Sequence, residues 1–193
     1  IVKRLWTGDV KPLSVSADGL WSVLAIAVDS RRRVLWATSS AMEQTRGIDD
    51  KDIGRAAIFK YDLDRETLLA RYELPRGATK RSFGDLLVAA NGDVYISESM
   101  EGALYRVAND KLESFIAPGT FASPQGMAWH DKGKWLYVAD YSLGLLRVDM
   151  QSRTVEWLPP PANACLLGMD ALTRFCDKLI ATQNGIKPHR VVE

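Results

Sequence analysis

Two aspartates lie in short segments that are otherwise apolar, an unusual place for a charged side chain. Asp85 opens the segment 85–90, and Asp170 lies in the middle of the segment 168–172. A buried carboxylate is costly unless it is paired, hydrogen-bonded or coordinated to a cation, so each needs a partner. Either the two carboxylates carry chemistry, or each accepts hydrogen bonds from backbone amides of a neighbouring strand. Gln125 allows the same choice, between a ligand and a tie between adjacent strands.

The other residue types that commonly carry catalysis are sparse. Neither His130 nor His189 has a Ser or Cys beside it, and the Gly-x-Ser-x-Gly motif of a nucleophilic serine is missing from the sequence. The two cysteines, Cys165 and Cys176, are too few for a disulfide framework or a metal cage. The carboxylates are therefore the candidate catalytic or ligand-binding groups, together with Gln125.

The overall composition narrows the class of partner. The chain has 193 residues with 25 basic and 24 acidic side chains, a formal net charge of +1. Basic residues do not cluster in the way that a phosphate backbone requires, so we expect no nucleic-acid partner. The longest apolar run, 23–28, is far shorter than the ~20 residues of a spanning helix, so we expect no membrane partner. A small molecule is the expected partner.

The elements that position these side chains emerge from an internal repeat. A short apolar strand, a polar turn and a second strand recur four times. Trp36, Tyr95, Tyr137 and Ile180 mark equivalent positions at intervals of 59, 42 and 43 residues. The first interval is longer because a polar insertion occupies residues 41–54. In the second copy the turn is Asn91-Gly92, the preferred pair for a tight hairpin that needs positive φ.

Further strands follow each hairpin and complete a four-strand unit. The third strands are predicted at 57–62, 103–107 and 144–149, and the fourth at 68–74, 112–116 and 154–158. Four short strands about every 40 residues are typical of a blade of a β-propeller. We therefore predict an all-β propeller with blades at 19–80, 81–121, 122–162 and an incomplete one at 163–193. Residues 1–18 are predicted as an outer strand of a preceding blade and its connection.

Two acidic residues that end second strands are predicted to be structural. Glu98 and Asp140 occupy the same place in consecutive repeats, where a carboxylate commonly binds the amides of a loop.

The four-blade arc would leave two sheet faces open, so we expect further blades to complete a ring.

The repeats resemble the calcium-dependent propeller family of senescence marker protein 30, gluconolactonase and the luciferin-regenerating enzyme, and the related NHL repeat. The segments that carry the resemblance are 123–129, 136–140 and the closing 180–192, within a match over roughly residues 20–193. The resemblance implies a six-bladed ring and a Ca²⁺ ion, or another divalent metal, in the central tunnel. It also implies a hydrolase that acts on a lactone or related ester.

The same resemblance implies a ligand set. The family's Pro-Asn-Gly motif places an Asn oxygen on the metal, and Gln125 stands at that position here. Aligning Gly126 with Asp85 and Gly168 puts Leu167 at the position of Gln125 in the fourth repeat. The same alignment places Asp170 two residues after the position of Asp85, so that the two side chains are predicted to point to the same face. The implied metal ligands are Asp85, Gln125 and Asp170, with Asp170 also catalytic. The alternative is a non-catalytic propeller that binds a small molecule or a protein partner.

Overall fold

The computed structural model describes residues 1–4, 7–77 and 79–193, and β-strands dominate them. The chain forms three four-stranded antiparallel sheets, one three-stranded sheet and a short two-stranded hairpin within these residues. In each larger sheet, consecutive strands along the chain are hydrogen-bonded neighbours. This up-and-down order is that of a propeller blade, so the predicted all-β propeller with four blades is confirmed.

The strands follow the predicted repeat closely. The hairpin consists of β1 (Val2–Arg4) and β2 (Val10–Pro12). Blade 1 contains β3 (Ser22–Asp29), β4 (Val34–Ser40), β5 (Ala56–Asp62) and β6 (Thr67–Glu73). Blade 2 contains β7 (Phe83–Val88), β8 (Val94–Glu98), β9 (Ala103–Ala108) and β10 (Lys111–Ile116). Blade 3 contains β11 (Pro124–His130), β12 (Trp135–Asp140), β13 (Gly144–Asp149) and β14 (Val155–Leu158), and blade 4 contains β15 (Met169–Phe175), β16 (Lys178–Gln183) and β17 (Arg190–Val192).

The four predicted marker residues are structurally equivalent. Each lies on the second strand of its blade, opposite a residue of the first strand. The four pairs are Trp36 with Ala27, Tyr95 with Leu87, Tyr137 with Ala128, and Ile180 with Thr173. The Asn91-Gly92 turn also forms as predicted, with Gly92 at φ +97°.

The hydrophobic core lies between blades rather than within them. One cluster joins blades 1 and 2 through residues such as Trp36 and Phe83, and a second joins blades 2 and 3 through Tyr95 and Met127. A third, smaller cluster joins blades 3 and 4 around Met169. The second strands of blades 1 and 2, β4 and β8, are buried along their whole length because both faces of these blades are covered. The second strand of blade 4, β16, is partly exposed, since blade 3 covers one of its faces.

The opposite face of blade 1 is covered by the N-terminal segment. Leu13, with Leu20 and Trp21, packs against a cluster of blade 1 that includes the fully buried Phe59 and Tyr61. The predicted outer strand of a preceding blade corresponds to β1, which pairs with β2; Leu5 and Trp6 of that strand lie outside the described residues. Its assignment to a preceding blade stays a prediction, as does the total of six blades.

The insertion after β4 forms a series of turns anchored to the blades. The Ser22 and Thr45 hydroxyls are 2.7 Å apart, and Glu43 forms an ion pair with Lys80. The end of β4 pairs with the start of β3, at Ser40 and Ser22. The insertion therefore lies on the face of the arc where the innermost strands begin.

The described part of the chain contains no helix with the length and apolar character of a membrane span.

Candidate functional site

The innermost strand of every blade carries a β-bulge near its start. In each case the inner strand has one more residue than its partner between two successive pairs, so that the register shifts. The shifts fall between Val23 and Ala25, Phe83 and Leu86, Pro124 and Met127, and Met169 and Ala171. Bulges redirect side chains and are common beside active sites. Four of them at one level place the residues around 24, 84, 125 and 170 side by side.

The bulges correct one part of the sequence alignment. Because Ala128 and Thr173 occupy equivalent positions, the residue equivalent to Gln125 is Asp170. The expectation that Leu167 stands there is wrong. Leu167 lies in the segment that leads into β15, and its carbonyl accepts a hydrogen bond from Gln183. Gly168, which guided that alignment, adopts φ +70° before the strand begins.

The predicted shared phase of Asp85 and Asp170 is also wrong. Asp85 is equivalent to Gly126 and Ala171, one position further along the strand than Asp170. In a regular strand, neighbouring residues would point to opposite faces. The extra residue of each bulge breaks that alternation, so both aspartates can face the same space.

The structure brings Asp85, Gln125 and Asp170, the three residues predicted as metal ligands, together in the lining of one cleft. The cleft has a volume of about 380 Å³ and lies between the innermost strands of blades 1 to 4. Its other lining residues are small or apolar, namely Leu24, Ala25, Gly84, Gly126, Ala171 and Leu172. Three oxygen-bearing side chains from three successive blades therefore meet at the bulge level, and we call this space the inner-strand cleft.

Asp85 links two blades. Its Oδ2 accepts a hydrogen bond from the backbone N–H of Met127 in blade 3 at 2.8 Å, and its Oδ1 accepts one from Leu86 N–H at 2.8 Å. Burial raises the pKa of this carboxyl, and these two hydrogen bonds oppose the rise. The structural role considered for Asp85, as acceptor of amides from a neighbouring blade, is therefore present in the structure.

Gln125 and Asp170 keep more of their oxygen atoms open to the cleft. Nε2 of Gln125 donates to Ser123 Oγ at 3.0 Å, and its Oε1 would lie 3.5 Å from a Cβ placed on Gly84. The exposed Asp170 accepts a hydrogen bond on Oδ2 from Nδ2 of Asn184 at 2.8 Å. Within the described part of the chain, Oδ1 of Asp170 and Oε1 of Gln125 have no hydrogen-bond partner.

The predicted structural role of Glu98 and Asp140 is confirmed. Both are fully buried. Glu98 accepts the backbone N–H groups of Ser82, Met100 and Glu101. Burial raises the pKa of the Glu98 carboxyl against the effect of these bonds. The four amides that Asp140 accepts belong to Ala122, Ser123, Ser142 and Leu143.

Gln183 was not singled out from the sequence, although it occupies in blade 4 the position that Glu98 and Asp140 occupy in blades 2 and 3. It is fully buried, and its Nε2 donates to the carbonyls of Cys165 and Leu167. Its offset from Ile180 is the same as that of Asp140 from Tyr137, which is the signal that would have found it. The end of the second strand thus fastens the entry loop of blades 2, 3 and 4.

The residues of the cleft offer little for a divalent metal. Ca²⁺ takes six to eight oxygen ligands. The cleft presents three oxygen-bearing side chains, and both oxygens of Asp85 already accept backbone amides. No group of three or more His, Cys, Asp or Glu side chains in the described ranges could hold a metal ion. These side chains alone do not form a Ca²⁺ site.

The fold and the cleft define the chain as an arc of β-propeller blades, and the comparisons with known proteins agree. A streptogramin B lyase structure matches 99% of this chain and 60% of its own length, with 16% identity and a TM-score of 0.67. Virginiamycin B lyase from Staphylococcus aureus matches 84% of this chain and 49% of its own, with 16% identity and a TM-score of 0.63. The chain thus spans about half to three-fifths of the length of these lyases.

A third match is of similar size to this chain. The computationally designed Ika4 protein matches 89% of each chain at 9% identity, with a TM-score of 0.56. At these identities the likeness shows the fold alone. No family model matches the sequence, and no curated protein matches it either.

Proposed function

We propose that the protein is a hydrolase that cleaves a lactone or related ester of a small molecule in the inner-strand cleft. The observation that carries this proposal is the meeting of Asp85, Gln125 and Asp170, from three different blades, in one cleft. Polar groups that converge in an otherwise apolar pocket are typical of a small-molecule site. The resemblance to the gluconolactonase family supports the choice of lactones and esters.

Asp170 is the proposed catalytic group. Its carboxylate is exposed to the cleft, and Asn184 holds one of its two oxygens. As a general base it would take a proton from a water molecule while the water oxygen adds to the acyl carbon. The acyl C–O bond then breaks, and the proton passes to the leaving oxygen. Asp85 is better placed to hold the strands of blades 2 and 3 in position, because its oxygens bind backbone amides.

A divalent metal remains part of the expectation from family resemblance. It would polarise the acyl oxygen as a Lewis acid. Oxygen ligands beyond the described residues would have to complete its coordination, so the proposal routes no step through a metal.

The alternative is a propeller that binds a small molecule or a protein partner without chemistry. The observation that favours it is the engagement of Asp85 with the backbone, which leaves Asp170 as the one cleft carboxylate among the described residues that has an oxygen open. The lyase names of two similar structures add no support for a particular reaction, because propellers of one fold carry many functions.

The test is hydrolysis of a panel of lactones and aryl esters by the native protein and by Asp170→Asn. The variant keeps the shape and the Asn184 contact but loses the base, so we expect the rate to fall by about 10² to 10⁴. Asp177→Asn is the matched control, since the Asp177 side chain is 98% exposed and lies outside the cleft. An Asp170→Asn protein as active as the native one, or no hydrolysis of any ester, would reject the proposal.

A further inference from the structure

The polar side chains of the inner-strand cleft present hydrogen-bond acceptors and almost no donors. Asp85 and Asp170 are carboxyls, and the Gln125 amide nitrogen is already bonded to Ser123. Among the residues that the structure describes, none that lines the cleft is Lys, Arg or His. A ligand group that binds here must therefore supply N–H or O–H donors, and a positive charge would be favoured over a negative one.

The number of available acceptors distinguishes two kinds of cation. Asp170 Oδ1 and Gln125 Oε1 are open, and each Asp85 oxygen accepts one hydrogen bond while a carboxylate has about four lone-pair sites. Three acceptor groups are too few for Ca²⁺, which takes six to eight oxygens. Gln125 Oε1 and one lone-pair site of Asp170 Oδ1 can each accept an N–H of a primary ammonium group, and the second lone-pair site of Asp170 Oδ1 stays open to the attacking water.

The remaining wall of the cleft is suited to hydrocarbon. Leu24 occupies the bulge of blade 1, at the position equivalent to Gly84, Gln125 and Asp170. Leu24 is 42% exposed as a residue, and Ala25 and Ala171 continue the same lining. A short alkyl group beside the ammonium would bury apolar surface of Leu24, which favours binding because that surface is removed from water.

We propose that the inner-strand cleft selects substrates that carry a primary ammonium group next to a short hydrocarbon segment, with Asp170 and Gln125 as the specificity-determining residues. The inference rests on the proposed function in taking this cleft as the substrate site. In the proposed reaction the substrate is then an amino-substituted lactone or ester rather than a neutral or anionic lactone or ester.

Calorimetric titration of the native protein with hexylammonium chloride and with hexan-1-ol, at one ionic strength, tests the selection directly. We expect the amine to bind at least about tenfold more tightly than the alcohol, since hydrogen bonds to charged groups are the stronger ones. Asp170→Asn and Gln125→Leu should each reduce this ratio, and Asp177→Asn should not. Equal binding of amine and alcohol, or a ratio unchanged in Asp170→Asn, would overturn the inference.

A second measurement separates this inference from the hydrolase proposal. The native protein is assayed with α-amino-γ-butyrolactone and with γ-butyrolactone. Faster hydrolysis of the amino lactone supports both ideas. Hydrolysis of both lactones at the same kcat/KM, with no preference for the amine in binding, overturns the ammonium inference and leaves the hydrolase. Preference for the amine in binding without hydrolysis of either lactone supports the ammonium inference and removes the hydrolase.

Discussion

Replacing Asp140 with Ala should destabilise the protein more than any change at the surface. Asp140 is fully buried, and its two oxygens accept four backbone N–H groups at 2.8 to 3.0 Å. Those amides fasten the loop that enters β11 and the turn that follows β12. The substitution removes all four acceptors at once and leaves the two loops without their common anchor.

The magnitude follows from these contacts. A hydrogen bond to a charged group contributes about 1.5–3 kcal/mol net, which would give an upper sum of roughly 6–12 kcal/mol for four bonds. Two effects make the real loss smaller than this sum. The variant no longer bears the cost of burying a charged carboxylate. The backbone N–H groups of the exposed residues Ala122, Ser142 and Leu143 can also bind water in the variant. We therefore expect a loss of about 3–5 kcal/mol in the free energy of unfolding.

Urea unfolding followed by tryptophan fluorescence measures this loss, because the chain contains six tryptophans. Asp177→Ala removes an exposed aspartate and should change the free energy of unfolding by less than about 0.5 kcal/mol. The loss in Asp140→Asn should lie between those of Asp140→Ala and Asp177→Ala. The Asn side chain keeps one acceptor oxygen, but its NH₂ group faces backbone N–H donors. A loss below about 1 kcal/mol in Asp140→Ala would refute the idea that this carboxylate holds the loops.

Two further substitutions test the contacts between the innermost strands. In Gly126→Ala the new Cβ would lie 2.2 Å from the backbone nitrogen of Leu172, so blades 3 and 4 must separate; we expect a loss of about 2–4 kcal/mol by thermal unfolding. Gly77→Ala, where the nearest atom is 3.6 Å away, is the control, and equal losses in both would contradict the close approach. Asp85→Asn tests the raised pKa of Asp85: the native carboxyl holds its proton more tightly than in the unfolded chain, so its contribution to stability falls as pH rises above the ordinary value of 3.8. The free energy of unfolding of the native protein minus that of Asp85→Asn should therefore decrease from about pH 4 upwards, and an increase would contradict the raised pKa.

Much of the fold could be predicted from the sequence because its signals are local and repeated. The apolar strand pattern recurs from blade to blade, and Trp36, Tyr95 and Tyr137 mark the same place in successive blades. The Asn91-Gly92 turn depends on two adjacent residues. The roles of Glu98 and Asp140 were predictable for the same reason. Each acts on loops close to its own strand, at the same place in its repeat.

The site was predicted less completely. The structure brings its three oxygen-bearing side chains into one cleft, but their register differs from the predicted one. Aligning repeats by their glycines placed Leu167 where the structure has Asp170. A bulge adds one residue to one strand and breaks the alternation of faces, but the short innermost strands carry too few polar residues for that break to be recognised in the sequence, so strand phase could not be read through it.

The sequence by itself determined the repeat, the order of the strands and the candidate carboxylates, since these depend on neighbouring residues along the chain. The tertiary structure decided which role each carboxylate can take. Asp85 binds the amide of Met127, 42 residues further along the chain, whereas Asp170 keeps one oxygen open to the cleft. That difference arises from how closely the innermost strands of adjacent blades approach one another, which no single strand encodes.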